Sequence, residues 1–119
     1  MLSVRFHRDS RNRLSSIFAT GHADAGAFGE DIVCAAVSAV LQAARLGLEE
    51  YAALDIVAVQ APGDFSVTLP EHGRDDPAAK AIVATAELAV KQIARQYPVH
   101  LCVTQTNETG YDRPSSKEK

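Results

Sequence analysis

Apolar and polar side chains alternate from the start of the chain. Leu2, Val4 and Phe6 interleave with Ser3, Arg5 and His7, a period of two that predicts a half-buried strand. Arg8 to Asn12 is polar and carries Asp9, Ser10 and Asn12, which favour turns. Leu14 to Thr20 then reads as a second strand, paired with the first as a hairpin. From Ile32 the spacing changes. Val33, Val37, Val40, Leu41, Ala44 and Leu48 recur at helical intervals, so a helix is expected over about Ile32 to Leu48, with Asp31 as its N-cap. Asp55 to Ala61 returns to β-prone residues and reads as a central strand. Pro62-Gly63-Asp64 turns the chain, and Phe65 to Leu69 comes back. Pro70 to Pro77 is a polar loop. Asp76-Pro77 opens a second helix in the order expected of a cap followed by proline at the first helical position. Ala81, Ile82, Ala84, Thr85, Leu88, Ala89, Ile93 and Tyr97 trace its expected buried stripe, and Pro98 ends it. Val99 to Thr106 alternates as a fifth strand.

The order is β-β-α-β-β-α-β. Two amphipathic helices require one apolar sheet face, so the expected fold is a two-layer α+β domain: two helices on one face of a mixed, largely antiparallel five-stranded sheet. Residues 1–107 form the single domain. Residues 108–119 are polar and aperiodic and are expected to be a disordered tail.

Chemistry concentrates between Gly21 and Val40, GHADAGAFGEDIVCAAVSAV. Gly21, Gly26 and Gly29 let a loop turn after the second strand. That loop can fold His22 back toward Cys34, which the expected helix start places in the first turn. The dipole there favours thiolate, and an imidazole beside a thiol is a recipe for acyl transfer. The backbone N–H groups of Cys34 and Ala35 would then be natural oxyanion donors. Ser38 lies one helical turn beyond Cys34. Against this stands the plainer reading, in which Cys34 is a small buried hydrophobe and His22 a solvated loop residue. Cys102, with His100 two residues before it on the same face, is a weaker alternative site. His72 with Asp75 and Asp76 matches no metal-ligand spacing and reads as a solvated loop.

The same twenty-residue string closely resembles the signature of the ribosomal-processing cysteine proteases of bacteria, the Prp family. A Gly-His-Ala segment, a glycine-bearing loop and an Asp-Ile-Val-Cys-Ala helix start carry that resemblance. It implies Cys34 as nucleophile and His22 as general base, with supporting roles for Asp31 and Ser38. It further implies a mobile loop over the site, here Ala23 to Glu30, and a homodimer. The implied substrate is the N-terminal extension of large-subunit ribosomal protein 27, cut just after an aromatic pair. The rival is a non-catalytic module that binds or chaperones a ribosomal protein.

Composition narrows the remaining choices. With 119 residues, 46% hydrophobic and 23% charged, the chain is long enough for one real core. No apolar run approaches eighteen residues, so no membrane partner is expected. A net charge of −3 is poor equipment for direct nucleic-acid binding. The N-terminus MLSVRFHRDS lacks the apolar stretch of an export signal. Two cysteines far apart in sequence then point to free thiols in a reducing cytoplasm. No metal or other cofactor is expected.

Overall fold

The computed structural model describes residues 1–21, 28–108 and 112–114, with the backbone alone for 28–31 and 112–114. Six strands form one sheet: β1 (Leu2–Arg8), β2 (Leu14–Thr20), β3 (Val57–Ala61), β4 (Asp64–Thr68), β5 (Leu101–Asn107) and β6 (Asp112–Pro114). Their order is β3-β4-β2-β1-β5-β6. Every neighbouring pair is antiparallel except β1 and β5, which run parallel from Leu2↔Leu101 to Arg8↔Asn107. The α+β class and the two-layer arrangement are as expected. Helices α1 (Phe28–Leu46) and α2 (Pro77–Gln96) cover one face. A π-helical turn, Gly47–Tyr51, follows α1.

The alternation in β1 does what its pattern requires. Val4 and Phe6 are fully buried under the helices, while Ser3 and Arg5 face the open side. Ile17, Ala19, Val67, Leu101 and Val103 complete the sheet's contribution to the core, and Val33, Val37, Leu41 and Leu48 supply that of α1. Ile32–Tyr51 reaches a mean hydropathy of 1.5 over 20 residues, so by length and composition it does qualify to cross a membrane, contrary to the expectation of no such run. Here its apolar stripe is spent on the sheet.

Four expectations need correction. First, α1 begins at Phe28, four residues before Ile32, so Asp31 is inside the helix and not its N-cap. Second, β3 is an edge strand rather than a central one: β-branched residues signal strand propensity but not how many neighbours a strand has. Third, residues 112–114, placed in the expected tail, pair with Thr104–Thr106. Fourth, the buried stripe of α2 is Ala79, Val83, Ala86, Glu87 and Val90, whereas Leu88 is 68% exposed. The stripe was misplaced because it contains an acid. Glu87 is buried because Arg8 Nη2 (2.9 Å) and Gln105 Nε2 (2.6 Å) both donate to its carboxylate.

Glu87 belongs to a band of charge at the end of the sheet where β1 meets β2. Asp9 sits in that turn, 5% exposed. Its carboxylate accepts from the Arg11 and Arg13 N–H groups (2.9 and 3.0 Å), the Arg13 guanidinium (3.1 Å) and the Arg74 guanidinium (3.1 Å). Burial pushes the Asp9 carboxyl up, but these hydrogen bonds outweigh it and hold it at about 2, below the ordinary 3.8. Arg13 also pairs with Glu71 (2.7 Å) and Asp75 (2.8 Å), which hold it charged. Asp76 caps α2 as expected, accepting from Ala79 N–H at 3.0 Å. The acids of the polar loop 70–77 are thus structural.

Candidate active site

At the other end of the sheet, β1 begins and β2 ends. Gly21 follows β2 with φ +93°, a conformation L side chains rarely adopt. A methyl group there would sit 2.5 Å from the Met1 carbonyl oxygen. Gly21 N–H donates to the Gly63 carbonyl at 3.1 Å, which ties the exit of β2 to the β3–β4 turn. That turn is Pro62-Gly63, with Gly63 at φ +74°, the geometry the dipeptide predicts.

Between this hairpin and α1 lies a cleft of about 250 Å³. Leu2, Ala19, Val37, Leu41 and Phe65 give it apolar walls. Cys34, Ser38 and Gln42 line it at successive turns of one helix face. Gln60 to Asp64 form the opposite rim. Cys34 is a free thiol, half-buried, and reaches the cleft. Cys102, the other thiol, is exposed on the open face of the sheet, outside the cleft. His100 lies in the turn before β5.

The polar groups of the cleft are oriented by one another. Gln42 Nε2 donates to Ser38 Oγ at 2.7 Å, which occupies an acceptor site of that hydroxyl and leaves its proton free to point into the cleft. Arg45 Nη1 donates to Gln60 Oε1 at 2.9 Å, so the Gln60 amide is anchored by its oxygen and its NH₂ is available. Sequence reasoning missed Gln42, Arg45 and Gln60. Gln42 was within reach, since 34, 38 and 42 share one helix face; Gln60 meets Arg45 only after the chain has folded.

The early start of α1 changes the electrostatic argument. Cys34 is the seventh helical residue, in the second turn, where the terminal partial charge is weaker. In a helix running from Phe28, the N–H groups of Cys34 and Ala35 are committed to carbonyls four residues back, so they are not the oxyanion donors. Residues Phe28 to Glu30, expected in the mobile loop, are helical, and Gly29 is a residue of α1. His22, Gly26 and the rest of 22–27 lie outside the described residues.

A half-buried thiol on a helix face, opening on a largely apolar cleft at the end of an α+β sheet, is an arrangement that suits a cysteine hydrolase. The model of the cysteine protease Prp family matches residues 1–102, and the chain belongs to that family. No curated protein sequence matches it. Among solved structures it is similar to the essential ribosomal processing protease Prp of Staphylococcus aureus in complex with a substrate peptide. The TM-score is 0.79 and the identity 22%, over 88% of this chain and 99% of that one. The same protein with a covalently linked product peptide gives a TM-score of 0.77, also at 22% identity, over 88% and 99% of the two chains. A Streptococcus mutans protein matches at TM-score 0.77 and 25% identity, over 91% and 96% of the two chains.

Proposed function

We propose that this cysteine protease is a ribosomal processing enzyme that removes the N-terminal extension of large-subunit ribosomal protein 27, cutting just after an aromatic pair. The observation that carries the reading is Cys34, half-exposed in the wall of an apolar cleft, in a chain whose family is defined by a catalytic cysteine. The S. aureus relative, captured with a covalently linked product peptide, supports a covalent route.

In this mechanism the His22 imidazole takes the Cys34 Sγ proton, and the thiolate attacks the scissile carbonyl carbon. The tetrahedral oxyanion collapses, the C–N bond breaks, and the imidazolium gives its proton to the leaving amine. Water, deprotonated by His22, then cleaves the thioester to a carboxylate and restores the thiol. Ser38 supports the reaction as a hydroxyl donor to the peptide, its oxygen held by Gln42. Asp31, inside α1 rather than capping it, is a supporting residue by the family resemblance. The aromatic pair preceding the cut suits walls built from Leu2, Val37, Leu41 and Phe65. The enzyme works as a homodimer in the cytoplasm, which sedimentation of the purified protein and fractionation of cells check.

The test is incubation of ribosomal protein 27 carrying its extension with the parent, Cys34→Ala and His22→Ala proteins, read by mass spectrometry. Cleavage by the parent alone, after the aromatic pair, supports the proposal. Cleavage by Cys34→Ala removes the nucleophile assignment. Tight binding without cleavage by the parent makes the protein a binding module.

A further inference from the structure

The two long edges of the sheet differ. The β5 edge is covered by β6. Among the described residues, nothing pairs with the outer edge of β3. Sheet edges left open are normally blunted by lysine, proline or an inward charge. The β3 sequence, Val57-Ala58-Val59-Gln60-Ala61, has none of these. Val57 and Val59 are 67% and 48% exposed on the open face.

This bare edge is also a wall of the cleft. Gln60 and Ala61 belong both to β3 and to the rim opposite Cys34, Ser38 and Gln42. The Arg45–Gln60 hydrogen bond bridges helix to strand. The backbone polarity of the edge follows from the hairpin. Ala61 and Asp64 flank a two-residue turn and so bond each other, and bonding toward β4 alternates from there. The N–H and C=O groups of Ala58 and Gln60 therefore face outward.

We propose that the free edge of β3 is the main-chain docking edge for the substrate: an extended, uncharged peptide segment adds to it as a further strand, beside the Cys34–Ser38–Gln42 face of α1. This rests on the reading of the protein as a peptide-cleaving enzyme. Five residues of β3 span roughly 17 Å, enough to register about five residues of peptide. Main-chain bonds to Ala58 and Gln60 supply affinity with little regard to side chain. Alternate peptide side chains then point either into the cleft, against Ser38 and Gln42, or onto the open face beside Val57 and Val59. Strand addition leaves the peptide extended, the conformation in which a scissile carbonyl is accessible to attack. The absence of charge along β3 matches an apolar segment.

The test uses peptides spanning the cleavage site of ribosomal protein 27, N-methylated at one backbone amide at a time. Binding to the Cys34→Ala protein is read by fluorescence anisotropy and cleavage by the parent is read by chromatography. If the peptide adds as a strand, methylation weakens binding by about threefold to tenfold at alternate amides and leaves the intervening ones near unity. On the protein side, Ala58→Pro removes one outward N–H at an edge position that tolerates proline, and abolishes part of the alternation without lowering the melting temperature. Alternating loss on binding, with no cleavage by the parent, keeps the docking edge and defeats the protease reading. Cleavage with no alternation keeps the protease and overturns the docking edge. An Ala58→Pro protein that turns from dimer to monomer while binding peptide unchanged assigns the edge to a second copy of the chain and overturns the proposal.

Discussion

The two ends of the sheet are built on opposite terms. Where β1 meets β2, Asp9, Arg13, Arg74, Glu71 and Asp75 interlock at 2.7–3.1 Å around a nearly buried carboxylate. Where β1 begins, the cleft is walled by apolar and uncharged polar side chains, with Asp64 its sole acid among the lining residues. One end is fixed by charge and the other is left open to a ligand. The difference shows where the fold obtains its rigidity: the network clamps the β1–β2 turn to the loop before α2, so Cys34 and the hairpin opposite can be shaped by access rather than by stability.

That contrast can be broken at either end. Replacing Cys34 with Ala should lower the rate of peptide cleavage by at least about 10⁴-fold and leave the melting temperature in place, as a side chain serving only the reaction must. Asp9→Asn should do the reverse, lowering stability by about 1–3 kcal/mol at pH 7 because the buried carboxylate's charged hydrogen bonds to Arg13 and Arg74 are lost, while the cleavage rate of the folded fraction is kept. Its pH dependence has a definite sign. The folded pKa of Asp9 is depressed, so its stabilisation is full above the ordinary value of 3.8 and is lost as pH falls toward about 2. Denaturant melts of parent and variant should therefore converge across that window. Gly21→Ala probes the junction between rigidity and site. Its positive φ and the 2.5 Å approach to Met1 O should cost about 1–3 kcal/mol in thermal or urea unfolding and displace the hairpin it is tied to. The smallest effect is expected from Arg45→Ala. The Gln60 amide loses its anchor, and KM should rise about threefold with kcat unchanged.

The core of this architecture was legible in local pattern. Alternation in Leu2–His7 gave β1 and its buried face, and Asp76-Pro77 gave the start of α2. Cys34 was singled out by its motif, and the structure opens it to a cleft. What was misread depended on partners distant in sequence. Phe28 and Gly29 looked like loop because glycine disfavours helix, yet α1 runs through them. Glu87 was left out of the expected stripe because nothing nearby in sequence reveals Arg8, 79 positions away, or Gln105. Glu71 and Asp75 are solvated as expected, but their ion pairs to Arg13 were hidden because that arginine is contributed by the first turn. The edge position of β3 was invisible for the same reason: strand order is a property of the assembled sheet.

The parallel pairing of β1 with β5 has a consequence for biosynthesis. Leu2, a wall of the cleft, is hydrogen-bonded beside Leu101, and His7 meets Thr106 across 99 positions. β1 thus waits for a strand made about a hundred residues later. Contacts of such separation close slowly, since the intervening chain must be ordered before they form. The cleft wall at Leu2 should therefore stay unheld, and the nascent protease inactive, until the residues of β5 have left the ribosome.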